Sequence, residues 1–278
     1  MNDETISALE NPALAQELVQ AALSMSVEEE VTEPEAPAKA TVTPPPSGEV
    51  KLLAGLYNSF TGDITNTAEI RELNGVDEEA LSKITDYGRG LLAILQRGTV
   101  KIGEEDATKD VLDQLLSGDR EYLIMKIRIA TFGEEIELNG PCPHCETENK
   151  FVINLEDDVK LDRLEDPSER SFAVNCKVGE VIVEYPTGAT QRKLITATDK
   201  TAAELDSMLL RDCILSINGV PLVNADQVKQ LSMQDRRTLL TAITTKNPGP
   251  DLASLEKSCP SCGLEVPIPL SLADLFRV

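Results

Sequence analysis

Apolar residues recur at core-building spacings from Lys51 onward, and before it they do not. Within residues 1–50 one stretch, 12–25, keeps a helical spacing through Leu14, Leu18, Val19 and Ala22. It reads either as a nascent helix in a solvated tail or as a short amphipathic segment for a partner's groove. Leu52, Leu53, Leu56, Tyr57 and Phe60 open the globular part. Asp77 then reads as the N-cap of a helix running to about Asp86, with Glu78 and Glu79 at its positive end. A second helical stretch covers 91–96 and stops at Gly98, and a third covers 110–116 and is broken by Gly118. Asp119 reads as the cap of a longer helix through Thr131, with Tyr122, Leu123, Met125, Ile127 and Ile129 as its apolar bulk. Residues 51–133 are therefore expected to be mainly helical.

After Gly133 the period shortens to two. Alternation over 135–138, 150–155, 172–174 and 180–185 predicts strands, punctuated by Gly179 and by Pro186-Thr187-Gly188. Helices are predicted again over 201–217 and 232–245, followed by a strand over 265–269 and a closing Leu-rich segment over 270–276. The fold class implied is α+β: a helical N-terminal part, and a second part that is first β-rich and then helical.

Charge and composition remove several functions. The 278 residues carry 26 Lys+Arg against 48 Asp+Glu, a formal net charge of −22. That balance opposes sequence-independent binding to nucleic acid or anionic membrane, since both need cationic surface. Aromatic residues are 3% of the chain and Trp is absent, which removes stacking platforms for bases. No apolar run approaches the ~20 residues of a membrane span, and the start lacks a basic-then-apolar leader, so a cytoplasmic setting is expected. Residues 1–50 hold ten acids, one base (Lys39) and six prolines, a composition expected to stay disordered. The acidic runs 28–30, 104–106 and 156–158 lack the ligand spacing of a calcium loop and read as solvated surface.

The chemistry concentrates in cysteine. His144 is the single histidine, so a Ser-His or Cys-His nucleophile pair would have to use it or none. Of six cysteines, four form two Cys-Pro-x-Cys turns: Cys142-Pro143-His144-Cys145 and Cys259-Pro260-Ser261-Cys262. Each turn offers two thiolates to one ion, and together they suit a tetrahedral zinc. A small residue after the second cysteine eases such a turn; Gly263 supplies it in one case, whereas Glu146 stands there in the other. Strand-like sequence flanks both turns, as in a zinc ribbon, here split by 113 residues between Cys145 and Cys259. Loop-closure entropy rises only logarithmically with length, so an inserted segment is tolerable. Residues 134–155 and 256–278 would form the ribbon, and 156–255 the insertion. Four sulfurs leave no open position for water, which makes the ion structural. His144 is expected to point outward, while Cys176 and Cys213 sit among apolar neighbours and read as core. A different class of reading makes the two pairs the centre of a thiol redox enzyme or a zinc-dependent regulator.

The order of motifs also resembles a known family. Ile70-Arg71-Glu72-Leu73-Asn74-Gly75, then Gly118-Asp119-Arg120, the first cysteine turn, Tyr185-Pro186-Thr187-Gly188 and the second turn resemble baseplate hub assembly chaperones of T4-like contractile-tailed phages. The resemblance covers residues 51–278. It implies no enzymatic activity and a role in building the tail hub, with baseplate or hub proteins as partners and no nucleic acid, membrane or small-molecule substrate. The setting implied is the host cytoplasm during assembly and, for a retained protein, the virion tail. Gly118-Asp119-Arg120 also has a purely architectural explanation: helix stop, helix cap and an arginine for a core carboxylate.

Overall fold

The computed structural model describes residues 47–222 and 224–276. The predicted helix at 12–25 and most of the acidic tail lie outside them. The chain begins with an antiparallel hairpin of β1 (Ser47–Tyr57) and β2 (Ile64–Arg71), so Ser47–Val50, assigned above to the tail, are strand. Two helices follow, α1 (Gly75–Leu81) and α2 (Tyr87–Gly98), and then β3 (Thr99–Ile102) and β4 (Glu105–Asp106), which complete a four-stranded antiparallel sheet. Helix α3 (Lys109–Gln114) leads into α4 (Ser117–Phe132), which lies against that sheet. Residues 51–133 are thus helix and sheet rather than mainly helical. The first apolar run, Leu52 to Ala54, is buried on consecutive residues, and period-two alternation cannot reveal such a strand.

Next come the hairpin β5 (Glu135–Pro141) and β6 (Glu148–Asn154), and a short β7 (Lys160–Asp162). Strands β8 (Ser171–Cys176) and β9 (Gly179–Glu184) form a second hairpin. Helices α5 (Gly188–Thr196) and α6 (Ala202–Cys213) lead to β10 (Ile214–Ile217) and β11 (Val220–Pro221). The last two strands join β9 and β8 in a second four-stranded antiparallel sheet. The helix predicted over 201–217 therefore stops at Cys213, because Ile214 to Ile217 pair with β9. Helices α7 (Ala225–Gln230) and α8 (Met233–Lys246) come next, and β12 (Gly249–Asp251) pairs back with β7. The hairpin β13 (Glu256–Ser258) and β14 (Glu265–Pro267) and a one-turn 3₁₀ helix (Asp274–Phe276) end the described chain. With antiparallel sheets and helices intermingled, the class is α+β.

Apolar side chains sort into two main cores. One joins the first sheet, α2, α4 and the C-terminal segment through Leu95, Leu123, Ile127, Ile153 and Leu275. The other packs α6 and α8 on the second sheet through Val181, Val183, Leu210 and Leu239. Helix α4 is buried on several sides because its neighbours approach closely. A Cβ on Gly98 would come within 2.6 Å of Ile127 Cδ1, so glycine sets the α2–α4 spacing. A Cβ on Gly118 would overlap the Pro248 carbonyl oxygen, so only glycine lets β12 reach the start of α4.

Two predicted caps are corrected. Asn74, not Asp77, caps α1: its Oδ1 accepts from the N–H of Val76 and Asp77, and Asp77 answers as the third residue of a capping box. Asp77 also takes Arg71 in a bidentate ion pair and Arg97 at 3.0 Å, which draws its carboxyl well below the usual range, to about 2. Asp119 is not a cap either. Helix α4 starts at Ser117 with Leu116 at the N-cap, and Asp119 lies in the first turn with its carboxylate turned away from its own helix.

Candidate metal centre

Each cysteine turn sits at the tip of a hairpin, β5–β6 for Cys142 and Cys145 and β13–β14 for Cys259 and Cys262. The two turns have one internal geometry. The amide of Cys142 donates to Thr147 O and that of Glu146 to Cys142 O; likewise Cys259 N donates to Leu264 O and Gly263 N to Cys259 O. The residue after the second cysteine is left-handed in both, Glu146 at φ 58° and Gly263 at φ 77°. Glycine takes that conformation freely; Glu146 pays steric strain for it.

The fold brings the two tips together. All four Sγ atoms lie within 4.8 Å of one another, and no other group of three or more possible ligands forms among the described residues. Cys142 Sγ is 3.8 Å from Cys262 Sγ, and Cys145 Sγ is 3.8 Å from Cys259 Sγ. A disulfide needs ~2.05 Å, so these are free thiols held apart. A tetrahedral ion with four Sγ at ~2.3 Å has an edge of about 3.8 Å, the spacing of these two pairs. The donor set therefore fits a four-thiolate metal ion.

The surroundings favour thiolate at Cys259 and Cys145, whereas the neighbouring thiols push Cys262 up. His144 N–H and Ser261 N–H, each two residues beyond the first cysteine of its turn, point at Cys142 Sγ and Cys259 Sγ from 3.4 Å. Burial resists ionisation of Cys259, yet the N–H groups of Cys262 and Ser261 and the nearby thiols bring its pKa down to about 6. A small apolar cluster of Cys142, Phe151, Cys259 and Val266 closes one side.

The variable third residue of each turn reaches across to the opposite hairpin. His144 lies outside the sulfur group, with its exposed Nε2 3.0 Å from Glu265 O. Ser261 Oγ donates to Asn149 Oδ1 at 2.7 Å. Asn149, on β6, also donates through Nδ2 to Thr147 O and Cys259 Sγ, and so ties both tips. Lys257 adds an ion pair to Asp158 at 2.6 Å just after β6. Asn149 escaped the sequence reading. Its signal was position: it shares the period-two face of the buried Phe151 and Ile153, where an amide needs a partner. Cys213 is buried in the second core, where burial pushes its thiol up to about 12, and Cys176 packs against the same core.

Gly118-Asp119-Arg120 forms a different polar centre. Between Lys51 and Leu56 the register of β1 on β2 shifts, so no ladder serves the amides of Leu53, Ala54 and Gly55. Asp119 takes all three: Oδ1 accepts from Leu53 at 2.6 Å and Ala54 at 3.1 Å, and Oδ2 from Gly55 at 2.8 Å. Arg170 holds the opposite side of the same segment, donating to Ala54 O and Gly55 O. Burial pushes the Asp119 carboxyl up, while the three N–H groups and Arg170 pull it down. Arg120 reaches Asp113 at 3.3 Å, the core carboxylate expected for it, and donates to Leu112 O; Arg192 binds the other oxygen of Asp113 at 2.6 Å. These charges pair with one another, while the buried Nε atoms of Arg120, Arg170 and Arg192 carry no hydrogen bond.

Residues 84–220 match the family model described as T4 bacteriophage base plate protein. The match is just under half of the chain and supports a phage baseplate component. It includes the first cysteine turn and Gly118-Asp119-Arg120, and stops short of the second turn. Comparison with curated proteins and with solved structures gave no match. No helix among the described residues is long and apolar enough to cross a membrane.

Proposed function

We propose that this protein is a non-enzymatic assembly factor or component of the baseplate hub in a contractile phage tail, stabilised by one structural zinc. Cys142, Cys145, Cys259 and Cys262 are its ligands, and the two hairpins are the halves of a split zinc ribbon. The observation carrying the reading is the baseplate-family match over 84–220, with the first cysteine turn inside it. The motif order beyond the match supports the hub and chaperone part. The donor chemistry supports zinc in a structural role: four sulfurs at a tetrahedral spacing fill the coordination sphere. The strong negative charge suits a scaffold that steers basic hub proteins and keeps them soluble. The partners proposed are baseplate proteins, met in the host cytoplasm while the tail is built.

Disrupting the gene in a phage that carries it, then viewing the lysate by electron microscopy, tests the role. The expected result is missing or hubless baseplates, restored by the wild-type gene supplied in trans. Normal contractile tails from the disrupted phage would refute it. Reversible disulfides within the two pairs of the purified, metal-free protein would favour a thiol redox role instead.

A further inference from the structure

A cleft of about 750 Å³ opens where the two main cores abut. Helices α4, α5, α6 and α8, the β7–β12 ribbon and the C-terminal segment supply its walls. Leu194, Leu209 and Ile243 line one side, and Leu252, Leu270 and Leu272 the other. Among this apolar surface sits Glu121, which projects from α4 with one oxygen accepting from Gln191 Nε2 at 3.0 Å. Among the described residues, no hydrogen bond or ion pair engages its second oxygen. The remaining charged lining residues are Lys160, Asp162 and Asp251, and Lys160 is already paired with Asp162 at 2.7 Å. The lining is therefore net acidic, in a chain that is itself strongly acidic.

We infer that this cleft docks a partner polypeptide that inserts a lysine or arginine side chain against Glu121, with aliphatic residues on either side. Three observations select this occupant. The surplus negative charge calls for a cation. A metal ion is the wrong cation, because the grouping of three or more metal-type ligands among the described residues is the four cysteines. The aliphatic walls, with neutral groups on Thr190 and on Asn247, whose Oδ1 already accepts from Ser117 Oγ at 3.2 Å, suit apolar side chains and peptide groups rather than a free amine. Burial raises the Glu121 pKa to about 7 despite Arg120 and Gln191, and an incoming cation would hold it ionised. The inference goes beyond the baseplate reading and does not need it.

Calorimetric titration of the full-length protein with blocked pentapeptides tests it. The sequence valine-leucine-X-leucine-valine would carry lysine, arginine, norleucine or glutamate at X, with spermidine as a free-amine control. The lysine and arginine peptides should bind at least tenfold more tightly than the norleucine peptide, and spermidine more weakly than both. Glu121→Gln should bring the lysine peptide to the norleucine level while the melting temperature holds or rises. Equal binding of lysine and norleucine peptides, no binding of either cationic peptide at millimolar concentration, or spermidine binding as tightly as the lysine peptide would overturn the assignment. The wild-type series decides even if the variant misfolds. Failure here would leave the baseplate role standing, and normal tails in the disrupted phage would leave peptide binding standing.

Discussion

Asp119 and the four cysteines solve the same problem in opposite ways. Each joins segments far apart in sequence through polar groups, Asp119 fully buried and the cysteines ranging from the buried Cys142 and Cys259 to the exposed Cys262. Asp119 finds every partner within the polypeptide: three amides of β1, with Arg170 gripping the same strand from its other side. The cysteines find mainly each other, four sulfurs about one point, and like groups that ionise together repel. The first centre is complete when the chain folds. On the proposed zinc reading the second is complete only with a cation, so chelators should separate the two.

The largest effect is expected at the sulfurs. Structural zinc contributes roughly 10–16 kcal/mol of apparent binding energy in small folded sites, so opening the site should cost much of the stability of both hairpins. Cys142→Ser and Cys259→Ser should destabilise equally and non-additively in urea denaturation, since either change opens the same site. Additive losses would mean two separate sites. In excess chelator both variants should converge on the wild type.

Next comes Asp119→Ala, which strands three buried amides and leaves Arg170 without its buried counter-charge. The expected loss is about 3–5 kcal/mol. It should be the same with and without chelator, and a chelator-dependent loss would break the distinction between the two centres. Gly118→Ala should follow. Its Cβ meets the Pro248 carbonyl, which must move, at a cost of about 1–3 kcal/mol or somewhat more. The accompanying change in amide exchange should appear at β12 and the start of α4, not at the hairpin tips.

How much of this was legible follows the same division. The four cysteines carry their pairing in a two-residue spacing, so the cluster could be read from sequence although 113 residues separate its halves. The strands of β5–β6 and β8–β9 were legible because one face of each is buried and the other wet, and that alternation survives as text. The opening sheet was hidden because Leu52, Leu53 and Ala54 are buried in succession around a register shift. Asp119 was misread for a related reason. An acid in the first turn of a helix reads as a cap, and nothing local announces that an unpaired strand 64 to 66 residues earlier will claim its oxygens. The boundary at Cys213 was lost because Ile214 to Ile217 continue an apolar pattern that a helix would also accept.

The smallest expected effect sharpens the likeness of the two cysteine turns. Glu146 occupies the left-handed position that Gly263 fills in its counterpart. Glu146→Gly should relieve about 1 kcal/mol of strain, offset in part by greater freedom of the unfolded chain. A thermal midpoint raised by a degree or two in the metal-loaded protein is expected. Gly263→Glu should lower it, and by more, since the second turn would gain the strain that the first already bears.

The most direct measurement is the metal content of the full-length protein purified without added chelator or metal, read by inductively coupled plasma mass spectrometry beside a thiol titration. One zinc per chain is expected, with the four clustered thiols unreactive until the ion is removed, and with zinc lost in Cys142→Ser and Cys259→Ser alike. A cooperatively folded protein that holds no stoichiometric metal, with all four clustered thiols reactive from the start, would contradict the shared site.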